Sequence, residues 1–418
     1  MRDMHDNSID NSIPQGLQEI IRGFNFQRCC IFSTAQIDEK DFVCDFAFLK
    51  AAESPEDLQR MLRRVFCNIQ DQGVCAGSGY SQICTPWVNS VVDSFFSRFN
   101  YRINLLEDGT WWVYKNKINI SFVIPAYNCI RTIGDSLDSI IRDNFELGDE
   151  IIITDDASTD STYQFIQKNY LSQNPAIKLL RHKHNMGGAA ARNTCVKNAI
   201  NPLIFCLDSD NILISGSVKK LKNFLVENIF DVVSFQKLHY FQSDIHKVTH
   251  RWIFQDGETS LQDCLASHIV PPASGNYLYT KASWKAVGGY PEFSKALDAW
   301  GFGIRQLAHG FKMSVLKDTG YFHRYGHESY WCRENIAERN SIIAALVLEP
   351  YKKLLANDSW SYIHSEAGKN WFGDLEKMPL VVIDSHLRKC GHVENNIDFY
   401  SKIKALLRKI RFNPCFFI

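Results

Sequence analysis

Between position 118 and about position 236 the chain alternates short apolar runs with longer stretches whose apolar residues recur at helical spacing. The runs 118–124, 150–154, 177–181, 203–207 and 231–236 are short, rich in β-branched and aromatic residues, and read as strands. Between them Ile133, Leu137, Ile140 and Ile141 make one helical stripe. Tyr163, Ile166 and Tyr170 make a second, and Ala190, Thr194, Val196 and Ala199 part of a third. A strand-helix-strand alternation of this kind predicts an α/β fold: a Rossmann-like, mostly parallel sheet with helices on both faces.

The pattern changes on either side. A strand-like aromatic run, Trp111-Trp112-Val113-Tyr114, ends in polar residues and marks a seam, so residues 1–116 read as an N-terminal accessory module. Inside it Ser54 is a good N-cap for a helix opening at Pro55, with Leu58, Met61, Leu62 and Val65 at helical spacing. Its residues assign it no chemistry. After the strand at 231–236 the text loosens into mixed strands and loops, and the segment 298–305 leads into 306–310, a short helix closed by Gly310. This divides the central segment, 117–335, into 117–236 and 237–335, and leaves 336–418 as a mainly helical C-terminal extension.

Composition narrows the function classes. Lys plus Arg and Asp plus Glu each total 46, so the formal charge is zero and general affinity for nucleic acid is not expected. No apolar run approaches the roughly 20 residues that cross a bilayer, and the first residues are polar. The expectation is a soluble, cytoplasmic protein without a transmembrane segment. The basic stretch 403–411 reads as a wet helix face, with peripheral membrane contact as its alternative. Thirteen cysteines lack metal-finger spacing, and several, including Cys44, Cys206 and Cys264, sit in apolar runs, which favours buried reduced thiols.

Open α/β sheets bind ligands at the carboxyl ends of their strands. The polar strand ends here are Pro125-Ala126-Tyr127-Asn128, Asp155-Asp156-Ala157-Ser158-Thr159-Asp160 and Asp208-Ser209-Asp210. In extended backbone Asp208 and Asp210 would share a face, an arrangement suited to a hard cation that also takes oxygens from substrate phosphates. Asn185-Met186-Gly187-Gly188 adds small residues that permit close approach, and Arg192 follows as a partner for phosphate or carboxylate.

These motifs, with Ala191-Arg192-Asn193, resemble in order the nucleotide-sugar half of the family-two inverting glycosyltransferases with the GT-A fold, over about residues 118–331. The resemblance implies a nucleotide-diphosphate sugar donor, a uridine one, and a glycan, lipid-linked or protein hydroxyl acceptor, in polysaccharide or glycoconjugate biosynthesis. It places Pro125, Ala126, Tyr127, Asn128, Asp156, Arg192, Asp208 and Ser209 at the donor, with Asp156 accepting from the base. It gives a divalent cation, Mn2+ or Mg2+, to Asp210 and His323, the imidazole favouring manganese. Gly275, Asn276 and Trp300 fall on the acceptor side.

An inverting transfer needs one carboxylate to take the acceptor's proton. Asp298 holds that place, counted back from Arg305 and Gly310, but Ala299 stands where the family's second acid is expected. Asp263, Glu292 and Glu328 are the other candidates for the base, and His327 is the rival of His323. Two other functions stay open: a degenerate subunit that binds a nucleotide sugar or glycan without turning it over, and a sugar nucleotidyltransferase, which Pro125-Ala126-Tyr127-Asn128 in place of a glycine-rich loop disfavours. Plainer readings stand beside the site assignments: Asp155 and Asp160 as helix caps, His182 and His184 as solvated side chains, and Trp284 and Trp300 as either core or sugar platforms.

Overall fold

The computed structural model describes residues 13–24, 26–34, 42–80, 85–261, 273, 275–326 and 347–354. The chain divides into two compact units, Met1–Asn119 with Val226–Ile229, and Ile120–Leu225 with Phe230–Ile418. The first holds a 5-stranded sheet of order β1-β2-β3-β5-β4, where β1 is Cys29–Phe32, β2 Cys44–Leu49, β3 Ile69–Gly77, β4 Asn104–Leu105 and β5 Trp111–Tyr114. Helices α1 (Gln15–Phe24), α2 (Pro55–Asn68) and α3 (Trp87–Ser97) accompany it. Ser54 caps α2 as its sequence predicts, the hydroxyl accepting from the Asp57 amide at 3.1 Å. The described cysteines, Cys44 and Cys206 among them, form no disulfide with one another and are mostly buried.

The second unit carries a 10-stranded sheet. Its nucleotide-type half runs β6 (Ile120–Ala126), α4 (Ile133–Asp143), β7 (Glu150–Asp155), α5 (Thr162–Ile166), β8 (Ile177–Arg181), α6 (Gly188–Asn198) and β9 (Leu203–Cys206). Strands β9, β6, β7 and β8 lie side by side and parallel, the Rossmann-like arrangement that the alternation predicts. Strands β10 (Ile212–Leu213), β11 (Val232–Phe241), β12 (His250–Ile253), β13 (Gly257–Thr259), β14 (Tyr277–Thr280) and β15 (Met313–Arg324) complete the sheet, with α7 (Ser217–Asn228), α8 (Lys281–Ala286) and α9 (Asp298–Ala308). β14 pairs antiparallel with both β9 and β11, so the second half of the sheet is mixed while β11 and β15 remain parallel. The stripe around Tyr163 ends in a π-helical turn, Gln167–Leu171, and Gly310 closes the turn after α9 with φ 79°. Among the described residues no helix is long and apolar enough to cross a membrane. The basic stretch 403–411 and most of the C-terminal extension lie outside the described residues.

Burial explains why the site-bearing strands stand where they do. Every residue of β9 is buried, and the Phe205 ring meets Phe122 of β6 at 5.8 Å and Phe235 of β11 at 5.9 Å between centroids. That aromatic row pins the strand end from which Asp208 follows. Phe205→Ala is expected to cost about 3–5 kcal/mol, lost transfer energy plus a cavity. Urea unfolding followed by tryptophan fluorescence measures it.

Candidate functional site

Strand β9 ends at Cys206, and the acidic pair that follows lies in a turn, where the Asn211 amide donates back to the Asp208 carbonyl at 3.2 Å. The reading that Asp208 and Asp210 share one face of an extended strand is therefore corrected: chain reversal begins before the second acid. Three side chains, two from the start of α4 and one from the end of β15, satisfy the carbonyls of the turn. Thr132 Oγ1 donates to the Ser209 carbonyl at 3.0 Å, Arg324 Nε to that of Asp210 at 3.0 Å, and Ser136 Oγ to that of Asn211 at 2.8 Å. Arg324 also pairs with Asp135 at 2.6 Å and lies over the Phe241 ring. No spacing in the sequence marks Thr132, Ser136 or Arg324 for this task, because their partners are backbone atoms of a turn remote along the chain.

Arg192, on α6, joins two acids that are far apart in sequence. One guanidinium nitrogen lies 2.6 Å from Asp208 Oδ1 and another 2.5 Å from Asp298 Oδ2. Asp298 opens α9 and is buried, and burial raises its carboxyl above the usual aspartate range while Arg192 draws it back. Asn276 supports Asp208 from the other side, its Oδ1 accepting from the Asp208 amide at 2.5 Å. The Tyr321 hydroxyl lies where a Cβ on Gly275 would sit 3.1 Å away. A Cβ on Gly188 would stand 2.9 Å from the Arg192 guanidinium, so the glycine leaves room for the ion pair. Trp300 packs in the hydrophobic core at 6% exposure, and Trp284 donates its indole N–H to Asn193 at 3.1 Å. The platform alternative for Trp300 thus gives way to the core one among the described residues.

Asp210 behaves differently. Burial and the neighbouring Asp208 charge push its carboxyl up to about 7, Arg324 opposing them, and no described cation forms an ion pair with it. His323, on β15, is pushed down to about 4 by burial, so its ring is neutral at neutral pH. It sits 4.7 Å from the Tyr240 ring between centroids and 3.4 Å from the Tyr321 hydroxyl through Nδ1. Among the described residues no three His, Cys, Asp or Glu side chains group to hold a metal ion, and the acid whose charge reaches His323 is Asp208. Within the described residues Glu292 accepts from Asn193 at 3.0 Å; Asp263, His327 and Glu328 lie outside them.

The donor-side loops interlock. Pro125 and Ala126 end β6 in register with Thr154 and Asp155 of β7, and the Ala126 carbonyl accepts from the Asp156 amide at 2.8 Å. Asn128, at φ 49°, accepts through Oδ1 from the Thr159 amide at 2.8 Å, while Tyr127 is half-buried. Asp160 accepts from the Thr162 amide at 2.9 Å at the start of α5, and buried Asp155 pairs with Arg181 at 3.1 Å. Asp156 accepts from His182 Nδ1 at 2.6 Å and from the amides of Met186 at 2.8 Å and Gly187 at 2.7 Å. His182 is therefore no solvated side chain: its other nitrogen meets Thr194 Oγ1 at 2.9 Å, and only His184 is exposed. Sequence reading missed it because its partners lie on β7 and α6.

If Arg192 is replaced by Met, two carboxylates are left facing each other and stability should fall by about 3–5 kcal/mol at pH 7.5. The deficit should shrink as pH falls, because protonation neutralises Asp298 first, its carboxyl already lying high. Urea unfolding of both proteins at several pH values between 5 and 7.5 checks the magnitude and the sign.

Residues 121–287 match the family model described as Glycosyl transferase family 2. Poly(ribitol-phosphate) beta-N-acetylglucosaminyltransferase TarS of Staphylococcus aureus is 26% identical over 243 residues, 55% of this chain and 41% of that protein. UDP-Glc:alpha-D-GlcNAc-diphosphoundecaprenol beta-1,3-glucosyltransferase WfgD of Escherichia coli is 28% identical over 109 residues, 26% of this chain and 42% of that protein. The crystal structure of S. aureus TarS 1-349 in complex with UDP-GlcNAc aligns with a TM-score of 0.48 at 22% identity, covering 70% of this chain and 87% of that one. The chain spans less than half the length of the curated relatives it matches. The parallel strands β7, β8 and β9, the acidic turn after β9 and the Ala-Arg-Asn motif on α6 all fall within the segment that matches this family model.

Proposed function

We propose that the protein transfers a sugar from a uridine-diphosphate donor to a hydroxyl acceptor with inversion, assisted by a divalent cation. The observation that carries this reading is the Arg192 bridge, which brings Asp298 and Asp208 to one guanidinium beside the unpaired acid Asp210. The name of the WfgD relative, a UDP-Glc transferase acting on a diphosphoundecaprenol-linked sugar, supports a uridine donor and a glycan or lipid-linked acceptor.

In this mechanism Asp298 takes the proton of the acceptor hydroxyl as that oxygen attacks the anomeric carbon. The bond from that carbon to the diphosphate breaks, and the nucleoside diphosphate leaves with the electron pair. A carboxyl raised by burial is a better base than an ordinary aspartate. Arg192 keeps Asp298 oriented and holds Asp208 toward the donor. Asp210 and His323 would hold the cation, whose contribution is to offset charge on the departing diphosphate. Pro125, Ala126, Tyr127, Asn128 and Ser209 border the donor, and Gly275 and Asn276 lie toward the acceptor side.

A second reading is a subunit that binds a nucleotide sugar without turning it over. Ala299 in place of a second acid, and the firm hold of Arg192 on Asp298, favour it.

Release of UDP from a panel of UDP-sugars, with Mn2+ and glycan acceptors, separates the two. Transfer predicts turnover that falls about 10²–10⁴-fold in Asp298→Asn. Full turnover in that variant would move the base elsewhere, and no turnover with intact UDP binding would support the second reading.

The metal assignment has its own test. Because the Asp210 carboxyl lies at about 7, Mn2+ uptake at pH 7 should release protons, seen in calorimetry as an enthalpy that varies with buffer. The release should fade above about pH 8, where a group titrating near 7 is already ionised. Asp210→Asn should abolish it.

A further inference from the structure

Helix α6 sends three consecutive side chains to three different places. Arg192 reaches the acids Asp208 and Asp298, Asn193 holds the Tyr290 backbone, and Thr194 reaches the His182 ring. The last contact ends on Asp156, so one short stretch of helix links the acidic centre to the carboxylate placed at the donor base.

The hydrogen bonds at Asp156 can be counted. A carboxylate offers about four acceptor positions, two on each oxygen. His182 Nδ1 and the Met186 amide use Oδ1, and the Gly187 amide uses one position on Oδ2. Among the described residues one acceptor position remains, on Oδ2, of a side chain that is almost wholly buried. An ionised carboxylate only accepts, so in the neutral ring Nδ1 carries the proton, and Nε2 accepts from the Thr194 hydroxyl. Thr194 thereby fixes which nitrogen faces Asp156.

We propose that His182, oriented by Thr194, is a positioning residue that leaves Asp156 a single acceptor position and so selects a base presenting one imide N–H. This rests on the uridine-donor reading above and gives it a residue-level cause. Uracil offers one imide N–H on its edge. Guanine offers two parallel N–H donors that call for both carboxylate oxygens, and Oδ1 is already filled. Cytosine and adenine set a ring lone pair beside their amino group, which the carboxylate repels. Without the His182 ring the Oδ1 position opens, the carboxylate is free to rotate, and the geometry that favours one imide is lost.

The test is calorimetric binding of UDP, N3-methyl-UDP and GDP to the full chain, comparing wild type with His182→Ala, His182→Asn and Thr194→Val. Wild type should bind UDP about tenfold or more tightly than either analogue, the worth of one well-placed hydrogen bond. His182→Ala should weaken UDP about tenfold and bring the UDP to N3-methyl-UDP ratio near one, again one hydrogen bond's worth. His182→Asn, whose amide can stand in for Nδ1–H, should restore the ratio, and Thr194→Val should lower it by a smaller factor. If the alanine variant does not fold, His182→Gln, which presents its amide at the Nε2 position, should show the same loss. A variant with an unchanged melting temperature and an unchanged ratio would reduce His182 to a loop staple and overturn the proposal while leaving the uridine reading intact. Wild type that binds no UDP would overturn both.

Discussion

A buried guanidinium between two carboxylates is the constraint around which the rest of this site is arranged. Arg192 is 8% exposed, and taking such a charge from water is costly unless its hydrogen bonds are met in full. The planar fork meets Asp208 with one arm and Asp298 with another, which a lysine could not do. Gly188 must lack a side chain for the fork to fit, and Asn276 must hold the Asp208 backbone in place. The bridge also leaves the charge unbalanced. Three acids, Asp208, Asp210 and Asp298, face one fully engaged guanidinium, and the next cation, Arg324, is committed to Asp135 and to backbone carbonyls. Asp210 is hard to ionise first because it is buried and then because the Asp208 charge lies near it.

The sheet was largely legible because burial on both faces leaves a plain signature. Central strands of a parallel sheet read as continuous apolar runs, and 150–154 and 203–207 coincide with β7 and β9 to within a residue, while 177–181 matches the edge strand β8. The run 231–236 belongs to a longer strand, β11, which extends to Phe241 through half-buried polar residues that break the apolar pattern. The residues that define the site stood out for a similar reason: charged and glycine positions directly after apolar runs are few, and Asp156, Arg192, Asp208 and Asp210 are among them.

What escaped the sequence was direction and partnership. Alternation along a strand predicts shared faces only while the backbone stays extended, and the chain turns between Asp208 and Asn211. The role of His182 depends on β7 and α6 approaching each other, a tertiary fact with no local trace. Thr132, Ser136 and Arg324 are invisible for the same reason, since a side chain that satisfies a remote carbonyl has no preferred spacing from it. Trp300 erred the other way: an aromatic residue in a polar neighbourhood suggests a platform, and the packing of α9 turns it inward.

Partner counting separates the aspartates for which three different roles are proposed. Asp156 is nearly saturated by neutral N–H donors, which fixes its orientation and leaves it one position for a hydrogen bond from outside. Asp208 and Asp298 share the single charge of Arg192, and its contacts do not fill every acceptor position of either carboxylate. Asp210 forms no ion pair among the described residues, with Arg324 and Arg192 only partly offsetting its burial, and a buried acid in that condition is stabilised by a further positive charge. The proposed division into base recognition, proton transfer and charge neutralisation rests on how many partners each carboxylate already has among the described residues. It does not require three different kinds of side chain.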